Sequence, residues 1–225
     1  MLSDLLYFFL PQTCYVCGRH LSVSEQKICS DCFSQLPRTL YHRIEKNPME
    51  QRFAGFFPFE KASALFFYTP NSAVASLIHD FKYRKFPFLA EYLGLKIGEE
   101  LFASGFFSDI DLILPIPMHW WKKMMRGYNQ VDYLAKGLGE VVSLPVGNQL
   151  RMRRRHKTQT TLSHEQRLRN TEQLFEVRNS GSLEGKHILL IDDVCTTGAT
   201  LRSAAECIIK SVKDVRITIF ALAVT

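Results

Sequence analysis

The sequence predicts an α/β protein in which helices flank a parallel sheet and a small four-cysteine zinc lobe stands at the N-terminal end. Short apolar segments alternate with longer segments of helical periodicity, which is the pattern of a parallel sheet. Four of the six cysteines form two C-x2-C pairs near the N-terminus. The chain has 225 residues, 46% of them hydrophobic and 22% charged, so it can bury a core and is not disordered.

The N-terminal stretch, residues 1–11, reads MLSDLLYFFLP. It is too short for a membrane span, which needs about 20 apolar residues, and it lacks the basic leader of a signal peptide. Asp4 stands where that leader would carry Lys or Arg. We therefore predict a short amphipathic helix in a cytoplasmic protein.

The two cysteine pairs predict a structural zinc site. Each C-x2-C turn presents two sulfurs on one side, and four thiolates suit tetrahedral Zn²⁺ with no coordination position left open. A disulfide pair is the alternative. The predicted ligands are Cys14, Cys17, Cys29 and Cys32. Residues 1–57 are then a metal-stabilised unit, called the cysteine lobe below, and residues 58–225 form the second domain.

The elements of the second domain follow in order from KASALFFYT (61–69), an apolar and aromatic run of strand length. PNSAVASLIHDFKY (70–83) places apolar residues at 74, 77, 78 and 81, which is one helical stripe. FPFLAEYLGLKIGEELFA (86–103) continues as a helix. DLILPIP (111–117) is a short buried strand that two prolines stop.

The C-terminal half repeats the alternation. NQVDYLAKGLGEVV (129–142) has a helical pattern, QLFEV (173–177) and HILLIDDV (187–194) have strand patterns, GATLRSAAECIIKSV (198–212) is helical, and VRITIFALAV (215–224) is the closing strand. We expect these strands to lie parallel, with helices on both faces of the sheet.

Positive charge is concentrated in the middle of the chain. The formal net charge is +6, yet residues 119–169 carry eleven Lys/Arg against three acids. An anionic partner is expected there. It can be a phosphate ligand or a single-stranded nucleic acid, for which Trp120, Trp121 and Tyr128 would offer stacking surfaces. The alternative is that residues 151–165 are a solvated loop.

The segment ILLIDDVCTTGAT (188–200) carries the clearest functional pattern. A buried strand over 188–191 places Asp192 and Asp193 at the carboxyl edge of the sheet, where ligands bind. Free N–H groups at the start of the next helix bind anions, and a glycine lets the backbone approach an oxyanion. Carboxylates repel phosphate but accept hydrogen bonds from hydroxyl groups, so the ligand is predicted to be a sugar phosphate with a vicinal diol. The predicted phosphate-binding residues are Thr196, Thr197, Gly198, Ala199 and Thr200.

This segment resembles the phosphoribosyl pyrophosphate (PRPP) signature of type I phosphoribosyltransferases. With the cysteine pairs, HDFKYRK (79–85), LPIPMHWWKKMMRGYNQ (114–130) and QTTLSHEQRLRN (159–170), it makes the chain similar to the ComF/GntX family of phosphoribosyltransferase-like competence proteins. The similarity extends from about Leu10 to the last residue. It implies a type I phosphoribosyltransferase-like fold that binds PRPP with Mg²⁺, the acid pair holding the ribose hydroxyls.

The resemblance also implies two places for pyrophosphate. The first is the loop after a strand, Pro115, Ile116, Pro117 and Met118, with Arg126 as countercharge. The second is a mobile loop in which Arg155 and Lys157 would reach the departing pyrophosphate. These two residues join Asp192 and Asp193 as the catalytic candidates. Residues 120–130 have an alternative interpretation, a solvated basic turn whose two tryptophans are anchored on the core.

Two functions therefore stay open. The first is a transferase that moves phosphoribose from PRPP to a nitrogen acceptor and releases pyrophosphate. The second, implied by the family, is a non-catalytic module that binds single-stranded DNA or a helicase partner during DNA uptake and transformation.

Overall fold

The computed structural model describes residues 12–153 and 174–225. The elements in chain order are α1 (Ser30–Ser34), α2 (Pro48–Phe53), β1 (Lys61–Phe67), α3 (Ala73–Tyr83), α4 (Pro87–Phe102), β2 (Leu112–Pro115), α5 (Trp120–Arg126), α6 (Gln130–Val142), β3 (Leu150–Met152), β4 (Phe175–Val177), β5 (His187–Cys195), α7 (Ala199–Ser211) and β6 (Arg216–Val224). The predicted N-terminal helix and the candidates Arg155 and Lys157 lie outside the described residues.

Four strands form one parallel sheet in the order β1-β6-β5-β2. The central strands β5 and β6 are buried along nearly their whole length, as expected for strands with both faces covered. The prediction of a parallel sheet flanked by helices is confirmed.

The sheet separates two apolar layers. Leu189 and Ile191 of β5 face a cluster built with α3, α4 and α6, whereas Ile188 and Leu190 face a cluster built with α2, α7 and the β3–β4 pair. Successive side chains of a strand point to opposite faces, so the continuous apolar run of β5 contributes to both layers.

Helices α4 and α6 touch along a line of glycines. A Cβ atom built on Gly94 would lie 2.1 Å from the Leu134 carbonyl oxygen, and one on Gly137 would lie 2.0 Å from the Glu91 carbonyl oxygen. Only glycine permits so close a backbone approach. The contact fixes where α6 begins relative to the sheet.

The predicted strand 173–177 differs from expectation in its pairing. It forms as β4, but β4 pairs antiparallel with β3 in a separate two-stranded sheet, with Leu150 opposite Val177. Each of these strands has three residues and buries only one of them, Leu150 and Phe175. A strand inside a parallel sheet is covered on both faces and needs apolar side chains on both sides, which these strands lack. The pair therefore packs against the layer that contains α7.

The described part of the cysteine lobe packs onto the sheet and its helices. Its Cys14, Ile28 and Cys29 belong to the apolar cluster that contains the buried faces of α3 and α4. Arg38 and Glu100 form a two-point ion pair across the same boundary, with Nε–Oε1 at 2.7 Å and Nη2–Oε2 at 3.0 Å. Within the described ranges, no helix is both long and apolar enough to cross a bilayer.

Candidate functional site

The two acids lie inside the last part of β5. Ladder pairing with β6 continues from Asp192 opposite Ala221 to Cys195 opposite Val224. The strand predicted over residues 187–194 is present and extends one residue further, to Cys195, so both acids are strand residues. Since neighbouring strand residues point to opposite faces, Asp192 and Asp193 are directed to different layers.

Asp193 is buried and fully engaged. Its Oδ1 accepts a hydrogen bond from Lys82 Nζ at 2.9 Å, and its Oδ2 accepts one from the Gln130 side-chain amide. Arg126 in turn donates to the Gln130 side-chain oxygen. This network joins the end of α3, the end of α5 and the start of α6 to the edge of the sheet.

Asp192 has a different environment. Its Oδ1 accepts a hydrogen bond from the Asp193 backbone N–H at 2.8 Å, and no side chain in the described part of the chain donates to it. Burial, reinforced by the neighbouring Asp193 charge, raises the pKa of Asp192 to about 8 despite the opposing influence of that N–H and of Lys82. The Asp192 carboxyl is thus the acid at this edge that can still accept hydrogen bonds from a ligand.

The turn after β5 leads into the 13-residue helix α7. Thr196, Thr197, Ala199 and Thr200 are exposed, while Gly198 is buried with φ of +78°. Gly198 is the N-cap and offers no side chain to the first turn, so the helix begins with N–H groups that a ligand can use. Hydroxyl groups surround this opening on the exposed side.

The loop after β2 lies beside the acids. Pro115 pairs with Ile191, and the Ile116 N–H donates to the Ile191 carbonyl at 2.9 Å. The Asn129 side chain caps α6 and donates to the Ile116 carbonyl at 3.1 Å. Tyr128 donates its hydroxyl hydrogen to the Phe81 carbonyl. These bonds hold the β2 loop and the start of α6 together at the carboxyl edge of the sheet.

A second cluster joins the four cysteines of the lobe. Their sulfur atoms all lie within 4.8 Å of one another, and Cys17 Sγ is 3.9 Å from Cys29 Sγ. Four Zn–S bonds of about 2.3 Å in a tetrahedron place the sulfurs about 3.8 Å apart, which fits this cluster. The four cysteines can therefore bind a metal such as zinc.

The backbone favours the thiolate form of one of the four cysteines, Cys14. Burial alone would raise the pKa of the Cys14 thiol, but amide N–H groups of Cys29, Cys17 and Val16 outweigh it and lower the pKa to about 6. The Cys14 sulfur accepts from Cys29 N at 3.3 Å and from Val16 N at 3.4 Å. Such N–H contacts stabilise the charged form that a metal needs.

Helix α5 carries an exposed apolar and basic surface. Trp120 and Trp121 are 48% and 51% exposed, and Met124 and Met125 are more exposed still. The interpretation that the two tryptophans are anchored on the core is wrong. The two rings contact each other edge to face with centroids 5.7 Å apart, in a helix of seven residues none of which is buried.

The phosphoribosyl transferase domain family matches residues 125–223. Competence protein ComFC of Bacillus subtilis is 28% identical over 223 residues, covering 93% of this chain and 76% of that protein. DNA utilization protein YhgH of Salmonella typhi is 25% identical, covering 90% and 92%, and competence protein F of Haemophilus influenzae is 33% identical over 98 residues, 43% of each chain.

The chain is similar to competence proteins of the ComF family and carries a phosphoribosyl transferase-like domain. The predicted site residues fall into two groups. The acid pair, the 196–200 turn and the β2 loop converge at one edge of the sheet, whereas the cysteine cluster lies in the lobe on the α3–α4 side. The described contacts of Arg126 are with Gln130 and with the Tyr83 ring, 5.2 Å away, and not with the β2 loop.

Three residues beside the candidate site were not predicted from the sequence, namely Lys82, Gln130 and Arg52. Arg52 lies in the cysteine lobe and donates to the Thr196 carbonyl, 144 residues further along. Two features of the sequence could have indicated Gln130 and Lys82: a glutamine at the start of a helix and a lysine next to the apolar stripe of α3. A polar side chain that is buried at such a position needs a partner.

Proposed function

We propose that this protein binds PRPP, or a closely similar sugar phosphate, at the carboxyl edge of β5. One observation carries the proposal: Asp192 has no side-chain donor among the described residues, and it lies in the last part of β5, the strand that leads into the exposed threonine turn before α7. In this arrangement Asp192 accepts hydrogen bonds from the ribose hydroxyls. The 5′-phosphate binds to the N–H and hydroxyl groups of residues 196–200.

Asp193 has a supporting role in this proposal. Both of its oxygens are already occupied, one by Lys82 and one by Gln130. Its backbone N–H orients the Asp192 carboxyl group, and its side chain anchors α3 and α6 beside the ligand. The sequence prediction that both acids hold the ribose is therefore refined to one direct contact, by Asp192.

The pyrophosphate of the ligand would lie over residues 115–118, because the β2 loop borders Ile191 and Asp192. Mg²⁺ prefers oxygen ligands and keeps several waters, so it would be held mainly by the diphosphate oxygens. When bound, it would neutralise the leaving group as phosphoribose passes to a nitrogen acceptor. Arg155 and Lys157 remain predictions for countercharge on the leaving pyrophosphate.

The metal in the cysteine cluster is proposed to be structural zinc. Cys14 and Cys29 are buried, and the cluster fits four sulfur ligands with no open position for a reacting group. Its role is then to hold the lobe against α3 and α4. The lobe is too small to fold on a core of its own.

The binding proposal is tested by calorimetric titration of the full chain with PRPP and Mg²⁺. Asp192→Asn is expected to lose binding while remaining folded. Asp214→Asn is the matched control, since Asp214 is exposed, has φ of +53°, and lies in a turn that Asn tolerates. Wild-type protein that does not bind PRPP, or Asp192→Asn that binds it unchanged, would refute the proposal.

A second candidate function is binding of single-stranded nucleic acid on α5. Trp120 and Trp121 are half exposed, Lys122 and Lys123 stand beside them, and exposed Tyr83 contacts Arg126. Stacked bases next to basic side chains are the usual mode of single-strand binding. The family resemblance implies this function as a non-catalytic step in DNA uptake and transformation.

Fluorescence anisotropy with a labelled oligo(dT) tests this candidate. Trp120→Ala with Trp121→Ala is expected to weaken binding without changing its salt dependence. Lys122→Met with Lys123→Met should reduce the slope of log affinity against log salt by about 1.4, since each phosphate contact contributes about 0.7. Affinity that is insensitive to both pairs would remove α5 as the binding surface.

A further inference from the structure

We infer that Arg52 is a positioning residue for the phosphate-binding turn: its guanidinium, supplied by the cysteine lobe, fixes the peptide that directs the Thr197 N–H toward the ligand. The inference rests on the proposed function, because it assigns a role to a residue behind the proposed phosphate site. Arg52 lies well outside the segment that matches the phosphoribosyl transferase domain family, which begins at residue 125.

The Arg52 side chain bridges the ends of the two central strands. One terminal nitrogen, Nη1, donates to the Thr196 carbonyl and, at 3.3 Å, to the Cys195 carbonyl, and the other, Nη2, donates to the Thr225 main-chain oxygen at 2.9 Å. Cys195 ends β5, and Thr225 follows the last residue of β6. A rigid, planar fork thus joins both strand ends where the turn begins.

The geometry of the peptide bond makes this contact directional. In a trans peptide the C=O and the following N–H point to opposite sides. A Thr196 carbonyl held by Arg52 on one side therefore turns the Thr197 N–H to the other side, away from the guanidinium. Thr196 and Thr197 are exposed, so this N–H is available to a phosphate oxygen.

Arg52 is itself held firmly. The Asn47 side-chain oxygen caps α2 by accepting from Met49 N at 2.9 Å and Glu50 N at 3.0 Å. The Asn47 amide also donates to the Ala62 carbonyl at 3.0 Å, which ties α2 to β1. Helix α2 is consequently fixed to the sheet, and the guanidinium reaches the turn from a rigid base.

The Phe53 ring, next to Arg52 on α2, packs against the turn at Gly198. A Cβ atom on Gly198 would lie 2.9 Å from Phe53 Cε1 and 3.4 Å from Arg52 Cδ. Gly198 also has φ of +78°, a conformation that favours glycine. The lobe therefore sets both the orientation of the first peptide of the turn and the depth at which Gly198 lies.

The experiment compares Arg52→Met and Arg52→Lys with the wild type, and Arg43→Met is the matched control. Arg43 is an exposed arginine of the same lobe whose described side-chain bond is to its neighbour His42. Ribose 5-phosphate is titrated as the probe, and the amide resonances of Thr197 and Gly198 are followed by ¹H–¹⁵N NMR. A purely structural residue would not change these resonances selectively.

In the wild type the Thr197 amide is expected to shift strongly on titration. Arg52→Met should bind the probe about tenfold more weakly, the effect of losing one hydrogen bond to a charged group, and should lose the Thr197 shift. Arg52→Lys should recover part of the affinity, since one donor remains. Arg43→Met should match the wild type.

The outcomes separate the inference from the proposed function. A wild type that binds neither PRPP nor ribose 5-phosphate refutes the proposed function. A wild type that binds while Arg52→Met binds equally well, with an unchanged Thr197 resonance, overturns the inference alone. If Arg52→Met does not fold, Arg52→Lys is the deciding variant. Wild-type affinity of Arg52→Lys, together with a Thr197 amide resonance at its wild-type position, would contradict a role for the guanidinium fork.

Discussion

Lys82 Nζ lies 2.9 Å from Asp193 Oδ1 and thereby connects the last turn of α3 to the ligand-binding edge of the sheet. Both side chains are largely removed from water, at 20% and 8% exposure. A buried ion pair contributes little net stability, but removing one partner leaves an uncompensated charge. Because Lys82 pairs with Asp193, the two neighbouring acids have separate roles: Asp193 anchors α3, and Asp192 can accept hydrogen bonds from a ligand.

Lys82→Met is expected to destabilise the protein by about 3 kcal/mol, because Asp193 then remains charged and buried without its cation. The double variant Lys82→Met/Asp193→Asn should recover most of this loss, since neither charge is then unpaired. Urea unfolding of the wild type, both single variants and the double variant gives the coupling free energy. Additive effects of the two substitutions would show that the pair is not coupled.

Stability should depend on pH through Asp192. Its pKa is raised from 3.8 to about 8, so at intermediate pH the folded protein keeps a proton that the unfolded chain has released. The Asp192 contribution to the free energy of unfolding therefore falls as pH rises from about 4 to about 8. Asp192→Asn removes this contribution and should gain stability relative to the wild type over that range.

Urea unfolding at pH values of about 4.5, 5.5, 6.5 and 7.5, within the range where the folded and unfolded states bind different numbers of protons, measures the effect at constant ionic strength. The same series on Asp214→Asn serves as the control, since Asp214 is exposed. A stability difference between Asp192→Asn and the wild type that stays constant across the series contradicts the prediction.

The full chain purified without added metal should contain about one zinc ion per molecule, as a four-thiolate site requires. Cys29→Ser is expected to lose the zinc and to unfold the lobe, because metal binding supplies on the order of 10 kcal/mol to small zinc domains. Cys207→Ser removes a partly buried thiol of α7 and should keep the zinc. Elemental analysis and limited proteolysis read out both effects, and metal-free wild type would refute the assignment.

Gly137→Ala should destabilise the protein by about 3 kcal/mol or more, because the added methyl meets the rigid Glu91 carbonyl of α4. Gly181→Ala is the control, since a Cβ there meets nothing within 4 Å and Gly181 has no positive φ. That substitution should be neutral or stabilise the protein by up to about 1 kcal/mol. Equal thermal stability of the two variants would contradict the close α4–α6 contact.

Periodicity and local motifs were sufficient for most of the fold. The apolar stripe at 74, 77, 78 and 81 predicted α3, and all four residues are buried. The pairing of β4 with β3 could not be predicted in this way, since β3 has only three residues and no alternating pattern. The strand predicted over residues 187–194 is present as β5, and pairing with β6 extends it by one residue, to Cys195.

The candidate site was predictable only where its residues are adjacent in sequence. Asp192 and the threonine turn form one motif, and so do the cysteine pairs. The partners Lys82, Gln130 and Arg52 come from three other elements, and only tertiary structure brings them to the turn. Of the basic residues that suggested an anionic ligand, Arg126 already has a partner inside the protein, the Gln130 side chain.

The strand order has a consequence for how the protein is made on the ribosome. β6 separates β1 from β5, and β1 has no other strand of the parallel sheet as a neighbour. The sheet therefore cannot close until synthesis has passed Val224, and β1 must wait with an unpaired edge while some 150 further residues emerge. Exposed strand edges invite pairing with other chains. Nascent chains stalled before β6 should thus be the species that depends most on chaperones.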